Sequence, residues 1–296
     1  MEPLINLKIP GVKKFYSGKV RDIYKIDKEH LLIVSTDRVS AFDHVFPNGV
    51  PEKGIILNKI SNIWFKNINF LKNHIVEDDF SKFPEPFCNY PELLKDRSVI
   101  VRRTKRIDFE CVARGYIIGT GWKDYQDSGE VCGIKLPEGL KMAQKLDVPL
   151  FTPASKEDTG HDLNVSIDVM NNALGEQANQ LADLTLRIYE FGRDMLSKAG
   201  IILADTKFEF GIVDNEIILI DEILTPDSSR FWDKSAYKVG ESPLSYDKQF
   251  IRDYLDTTDW DKNSTPPPLP EGIIEKTHEK YLEILTKIEN LFETKK

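Results

Sequence analysis

Leu203-Ala-Asp-Thr-Lys-Phe-Glu-Phe-Gly211 is followed, after a short polar break, by Ile217-Ile-Leu-Ile-Asp-Glu222. Alternate residues of a β-strand share a face. Asp205, Lys207 and Glu209 therefore point one way, and Phe208, Phe210 and Ile212 the other. An ionisable row behind an aromatic row means that one face is core and the other lines something polar. A turn of three residues, Asp214 to Glu216, pairs Val213 with Ile217 and sets Glu209 directly opposite Asp221. A two-residue turn sends the two carboxylates to opposite faces. The three-residue turn is the expectation taken here. Two carboxylates on facing strands can hold magnesium, which uses one or two protein carboxylates with water and nucleotide phosphates. Spacing alone fits a surface hairpin with solvated charges equally well.

Outward from this hairpin, the pattern Leu181, Leu184, Ile188, Phe191, Met195 predicts a helix from about Ser166 to Lys198, with Ser166 as N-cap and Gly200 as stop. Ile201–Val213 and Glu216–Leu224 are expected strands. Upstream, Phe109–Ile118 is strand-like and Pro149–Asn164 polar and loop-like. Near the start, Val20–Ile26 and His30–Ser35 read as a hairpin. Pro51 then opens a helix with Ile56, Ile60, Ile63, Trp64 and Ile68 on one face. Phe83–Pro91, with three prolines, reads as a loop, and Val99–Arg103 as a strand. Thr265–Pro270 is a proline-rich linker into a last amphipathic helix, about Glu271–Phe292. The order is β-rich first and mixed afterwards, an α+β arrangement with room for a cleft.

The chain has 296 residues, 41% hydrophobic and 30% charged, which is ordinary globular composition. Its formal net charge of −8 argues against backbone binding to nucleic acid, which needs a basic footprint. A local basic pocket for a phosphorylated metabolite is compatible with that balance. Cys88, Cys111 and Cys132 show no zinc spacing and fit a reducing, cytoplasmic compartment. No apolar run reaches the ~18 residues of a membrane span, so no membrane partner is expected.

Three further segments offer phosphate-binding groups. Tyr16-Ser-Gly-Lys-Val-Arg21 places Gly18, Lys19, Val20 and Arg21 at the opening of the first hairpin, where a backbone without Cβ approaches a nucleotide closely. Glu110-Cys-Val-Ala-Arg-Gly-Tyr-Ile-Ile-Gly-Thr120 joins Arg114 to the Thr120 hydroxyl, and Thr225-Pro-Asp-Ser-Ser-Arg230 adds a second arginine. Each alone reads more readily as a capped turn with surface charges, and what favours a site is their number around the metal hairpin. Phe151–Asp162 is rich in reactive side chains, among them His161, which more often serves as a structural hydrogen-bonder.

Together, and in this order, the segments resemble the SAICAR (phosphoribosylaminoimidazole-succinocarboxamide) synthases from about Tyr16 to Lys238. Leu203–Gly211 agrees with that family's strand signature, and Ser17–Tyr24, Ser35–Asp43, Pro51–Gly54 and Asp221–Lys234 are similar. Around Glu110–Thr120, Asp108 stands for proline, Ile118 for a small residue and Thr120 for serine. The resemblance implies a two-lobed fold: residues 1–105 form a β-rich, distantly kinase-like lobe, and residues 106–296 an α/β lobe, with the ATP cleft between them. It implies ligation of L-aspartate to phosphoribosyl carboxyaminoimidazole (CAIR) with ATP, by a monomer or homodimer. It places Gly18, Lys19, Val20, Arg21 and Lys156 at ATP, and Glu209 and Asp221 at Mg2+. Arg114, Thr120 and Arg230 go to the ribotide phosphate. Asp162, Asp205, Lys207 and Asp227 line the rest of the substrate, with Lys19, Asp205 and Lys207 closest to the chemistry. Two readings compete: a small-molecule kinase on a related scaffold, and a nucleotide-binding regulatory protein that has lost activity.

Overall fold

A computed structural model describes residues 2–156 and 163–293. Two antiparallel sheets organise the chain. The first has five strands, ordered Lys14–Ser17, Arg21–Lys25, His30–Ser35, Ser98–Arg102 and Ile75–Glu77. The second has seven. Leu163–Asn164, Lys145–Ser155, Phe109–Tyr116, Ile201–Val213 and Glu216–Ile220 run side by side, and Ser229–Asp233 and Lys105–Arg106 also pair with Ile201–Val213. This mixture of helices and antiparallel sheets is the expected α+β class.

Helices pack on the second sheet in the main core, and the first sheet buries Tyr24, Leu32, Val34 and Ile100 in a core of its own. Lys53–Asn67 begins where expected, and its Ile56, Ile60 and Trp64 pack with Leu181 and Ile188 of Glu176–Lys198 and with Tyr281 and Ile284 of Glu271–Glu293. Burying such side chains contributes about 1.5–3 kcal/mol each. Among the described residues no helix is long and apolar enough to cross a membrane.

Three expectations need correction. The single helix Ser166–Lys198 is two, Ile167–Leu174 and Glu176–Lys198, broken at Gly175 with φ +60° and ψ −135°. Ser166 does cap the first, accepting from the Val169 N–H. Pro149–Asn164 is not simply a loop, because Lys145–Ser155 is an eleven-residue strand. Pro153 fits there because its far neighbour needs only its carbonyl, which accepts from the Val165 N–H at 3.0 Å. The strand expected over Glu216–Leu224 stops at Ile220.

The long strand Ile201–Val213 also carries a bulge. Leu203 pairs with Phe231 and Asp205 with Arg230, so Ala204 is an extra residue. A bulge re-aims the side chains beyond it. Ile201 and Leu203 belong to the main core, and beyond the bulge Phe208 and Phe210 take that side. Asp205, Lys207 and Glu209 are thereby left on the opposite face.

Candidate active site

The hairpin register differs from the expectation. Val213 pairs with Glu216, Ile212 with Ile217, and Glu209 with Ile220. The turn has two residues, Asp214 and Asn215, both at positive φ (51° and 63°). Asp and Asn tolerate that conformation, and it matches the twist of a two-residue hairpin. A regular continuation of the strand would turn Asp221 toward the core. The backbone instead leaves the β region at Asp221, with φ 68°. The two carboxylates remain electrostatic neighbours: burial first, then the charge of Asp221, pushes the Glu209 carboxyl above its ordinary value. Burial also acts upward on Asp221, but the Arg21 guanidinium outweighs it and holds that carboxyl low.

Cations complete the cluster. Arg21 Nη2 donates to Asp221 Oδ2 at 2.6 Å, and its Nη2 lies 3.5 Å from Glu222. Lys156 pairs with Glu209. Lys207 donates to Glu110 Oε1 at 2.5 Å. Burial works against the Lys207 ammonium, yet Glu110, Glu209 and Asp221 together raise its pKa. The spacing of its segment alone assigns Glu110 no role. The alternation Glu110, Val112, Arg114 places it on the face of Lys207, diagonal to the Lys207–Val112 pair.

The glycine turn sits at the edge of this cluster. Gly18 N–H donates to the Arg21 carbonyl at 2.8 Å, closing a tight loop through Lys19 and Val20. The Val20 carbonyl accepts from Thr36 Oγ1 at 2.7 Å. Lys19 is half exposed and pairs with Asp43 at the tip of the Arg38–Gly49 hairpin.

Further along the same strand face, Asp205 gathers two arginines on one oxygen. Arg114 Nη1 donates to Asp205 Oδ2 at 3.0 Å and Arg230 Nη1 to the same atom at 2.5 Å. Cross-strand register explains this, since Asp205 pairs with Arg114 on one side and Arg230 on the other. Arg114 Nη2 also donates to Thr120 Oγ1 at 3.1 Å, and Nε to Thr152 Oγ1 at 3.0 Å. Helix Gly119–Ser128 starts against them. A Cβ at Gly119 would strike the Arg230 guanidinium, and one at Gly121 would lie 3.2 Å from Arg114 Cδ. These glycines let the helix N-terminus pack directly against the two arginines, a setting suited to a phosphate.

Asp227 stands apart, in a buried junction of distant segments. It accepts from Lys53 at 2.7 Å, from Lys248 at 2.9 Å and from the Tyr281 hydroxyl at 2.9 Å. No motif spacing links these three donors, and two of them, Lys248 and Tyr281, were not singled out in the sequence. Asp162 and His161 lie outside the described residues.

Comparison with known proteins identifies the family. The sequence profile of the SAICAR synthetase family matches residues 14–267. The phosphoribosylaminoimidazole-succinocarboxamide synthase of Citrifermentans bemidjiense is 51% identical over 289 residues, which is 97% of each chain. The SAICAR synthase of Saccharomyces cerevisiae, solved with SAICAR, has a TM-score of 0.87 at 42% identity, covering 96% of this chain and 97% of that one. A type-2 SAICAR synthetase in complex with ADP has a TM-score of 0.66 at 25% identity, covering 93% and 97%. The chain belongs to the SAICAR synthetase family, a family of ATP-dependent carbon–nitrogen ligases.

Proposed function

We propose that the chain carries out its family's ligation, joining the CAIR carboxylate to the amine of L-aspartate with ATP, and that it does so on the polar face of strand Ile201–Val213. The observation that carries the site assignment is that Asp205, Lys207 and Glu209 lie on one face of this strand, with an arginine pair at one end and the neighbouring Asp221 carboxylate at the other. The ends are about 13 Å apart along the strand, a span comparable with the length of a ribotide.

Arg114, Thr120 and Arg230 hold the ribotide phosphate. Asp205 aligns the arginines and borders the ribose and imidazole region. Gly18, Lys19, Val20, Arg21 and Lys156 border the ATP phosphates. The donor set at the hairpin fits magnesium: Glu209 and Asp221 are half-buried carboxylates that repel each other, a conflict a divalent cation relieves. Bound there, the ion would neutralise charge on the nucleotide phosphates.

A carboxylate is a poor electrophile, because its charge repels nucleophiles and oxide does not leave. Transfer of the γ-phosphoryl group to a CAIR carboxylate oxygen releases ADP and forms an acyl phosphate. The neutral amine of aspartate then attacks the carbonyl carbon, the C–O bond to phosphate breaks, and the amine proton is lost. What the protein supplies is alignment of two anions and neutralisation of their repulsion. Lys207, kept protonated by Glu110, Glu209 and Asp221, provides a fixed positive charge beside the reacting carboxylate. The free Cys88, Cys111 and Cys132 fit action in the reducing cytoplasm.

The test is ADP formation with each substrate omitted in turn. The ligase reading requires full turnover only with CAIR and L-aspartate together. Full ADP release with either alone would favour a phosphotransferase, and none under any condition a binding protein.

A further inference from the structure

His74 sits at the seam between the two sheets. Its N–H donates to the Leu219 carbonyl at 3.1 Å, and its own carbonyl accepts from the Arg102 N–H at 2.8 Å. Leu219 belongs to the site hairpin and Arg102 to the first sheet, so one residue joins both by main-chain bonds. The Leu219 N–H donates in turn to the Lys72 carbonyl at 3.0 Å. The stretch Lys72–His74 therefore lies alongside the hairpin two residues before Asp221.

The His74 ring is 4% exposed and tilts against Phe65, with centroids 5.5 Å apart. Burial pushes its pKa down to about 4, so at neutral pH it carries a single N–H. Nε2 is buried and has no partner among the described residues. That leaves Nδ1 to make the ring's hydrogen bond to the Asp221 backbone, where a neutral imidazole donates its proton to the carbonyl. Burying an imidazole with one nitrogen unsatisfied costs free energy. A phenylalanine would fill the same space against Phe65 without that cost, so the useful part of His74 is its other nitrogen.

Asp221 is where that nitrogen acts. Its φ of 68° takes it out of the strand, and a non-glycine residue stays in such a conformation only where its surroundings fix it. Arg21 grips both carboxylate oxygens, Nη1 to Oδ1 and Nη2 to Oδ2, each at 2.6 Å. Coordination of a cation by Asp221 requires one of those oxygens, which loosens the Arg21 grip. The bond from His74 uses the carbonyl and is independent of that exchange. We propose that His74 is a positioning residue that pins the Asp221 carbonyl, so that the carboxylate stays on the side of Glu209 when Arg21 yields an oxygen to the metal; this rests on the assignment of Asp221 to magnesium above.

The affinity for Mn2+, measured with ADP present from the EPR signal of the unbound ion, tests this in His74→Phe and His74→Asn, with Asp221→Asn in parallel. His74→Phe keeps a ring against Phe65 but removes the donor. It should weaken Mn2+ binding by about threefold to tenfold, the worth of one neutral hydrogen bond. The magnesium activation constant should rise by the same factor, while the KM for CAIR stays at the parent value. His74→Asn places an amide N–H where Nδ1 stood and should recover most of the loss. A lower urea midpoint in His74→Phe with an unchanged Mn2+ constant would mark a purely structural residue and overturn the inference. So would equal weakening in His74→Phe and His74→Asn. If Asp221→Asn weakens Mn2+ and His74→Phe does not, only His74 is misassigned. If neither does, the metal site itself is wrong. Should His74→Phe fail to fold, His74→Gln decides, because its amide lies at the Nε2 end of the site; an unaltered Mn2+ constant there again overturns the inference.

Discussion

Arg21 and Asp221 lie 200 residues apart in sequence and meet at 2.6 Å. The pair links the first sheet to the second at the point where Asp221 leaves its strand. Glu209, paired with Lys156, is the less compensated of the two carboxylates.

Glu209→Gln and Asp221→Asn should each lower turnover by about a hundredfold or more, the usual scale for losing a preorganised charge at a reacting centre. Both should melt near the parent temperature. Normal ADP formation at saturating magnesium in both variants would remove the metal assignment.

Arg114→Ala and Arg230→Ala should each weaken CAIR binding by about 1.5–3 kcal/mol. Because both arginines share Asp205 Oδ2, their effects should not add. A double-mutant cycle on the apparent CAIR affinity measures the coupling, and strict additivity would show that the phosphate does not bridge them.

Glycine substitutions separate site from scaffold. Gly119→Ala puts a methyl group against the Arg230 guanidinium at a backbone φ of +61°, and should raise the KM for CAIR far more than that for ATP. Gly115→Ala drives a methyl group into the Tyr189 hydroxyl. Overpacking of this kind costs about 1–3 kcal/mol, readable as a lower urea midpoint. A parent-like midpoint would mean the helix yields.

The Asp227 junction should shape acid stability. Burial works upward on its carboxyl, but Lys248 and Lys53 outweigh it, leaving the pKa well below the ordinary value. A carboxylate depressed in the fold stabilises it above the unfolded pKa, about 3.9. That contribution is lost as pH falls below this value toward the folded pKa. Asp227→Asn should therefore cost about 3–5 kcal/mol at neutral pH, as broken buried pairs do. Its urea midpoint should also change less than the parent's between about pH 5 and 3. An equal slope in both proteins would exclude Asp227 as the titrating group.

Much of the site was legible because it lies on one strand. Alternation alone set Asp205, Lys207 and Glu209 against Phe208 and Phe210, and the structure keeps that division beyond the bulge at Ala204. The register was misread because turn length depends on whether two adjacent residues accept positive φ, and Asp214-Asn215 is such a pair. The break at Gly175 was hidden by an apolar period that continues on both sides of it. Lys145–Ser155 was obscured by Pro149 and Pro153, whose cost depends on which neighbour a strand has. Lys248 and Tyr281 were out of reach for a different reason. Their roles arise from where separate helices dock, and no local spacing records that.

The two-residue reversal at Asp214–Asn215 makes this loop a ruler. Adding or removing one amino acid there would rotate every following side chain by half a period, exposing Leu219 and turning Ile220 inward before the chain reached Asp221. Length variation among functional relatives should accordingly be purged from this loop while surface loops elsewhere drift. A scan of single-codon insertions under selection for purine prototrophy would reveal it as a narrow forbidden zone.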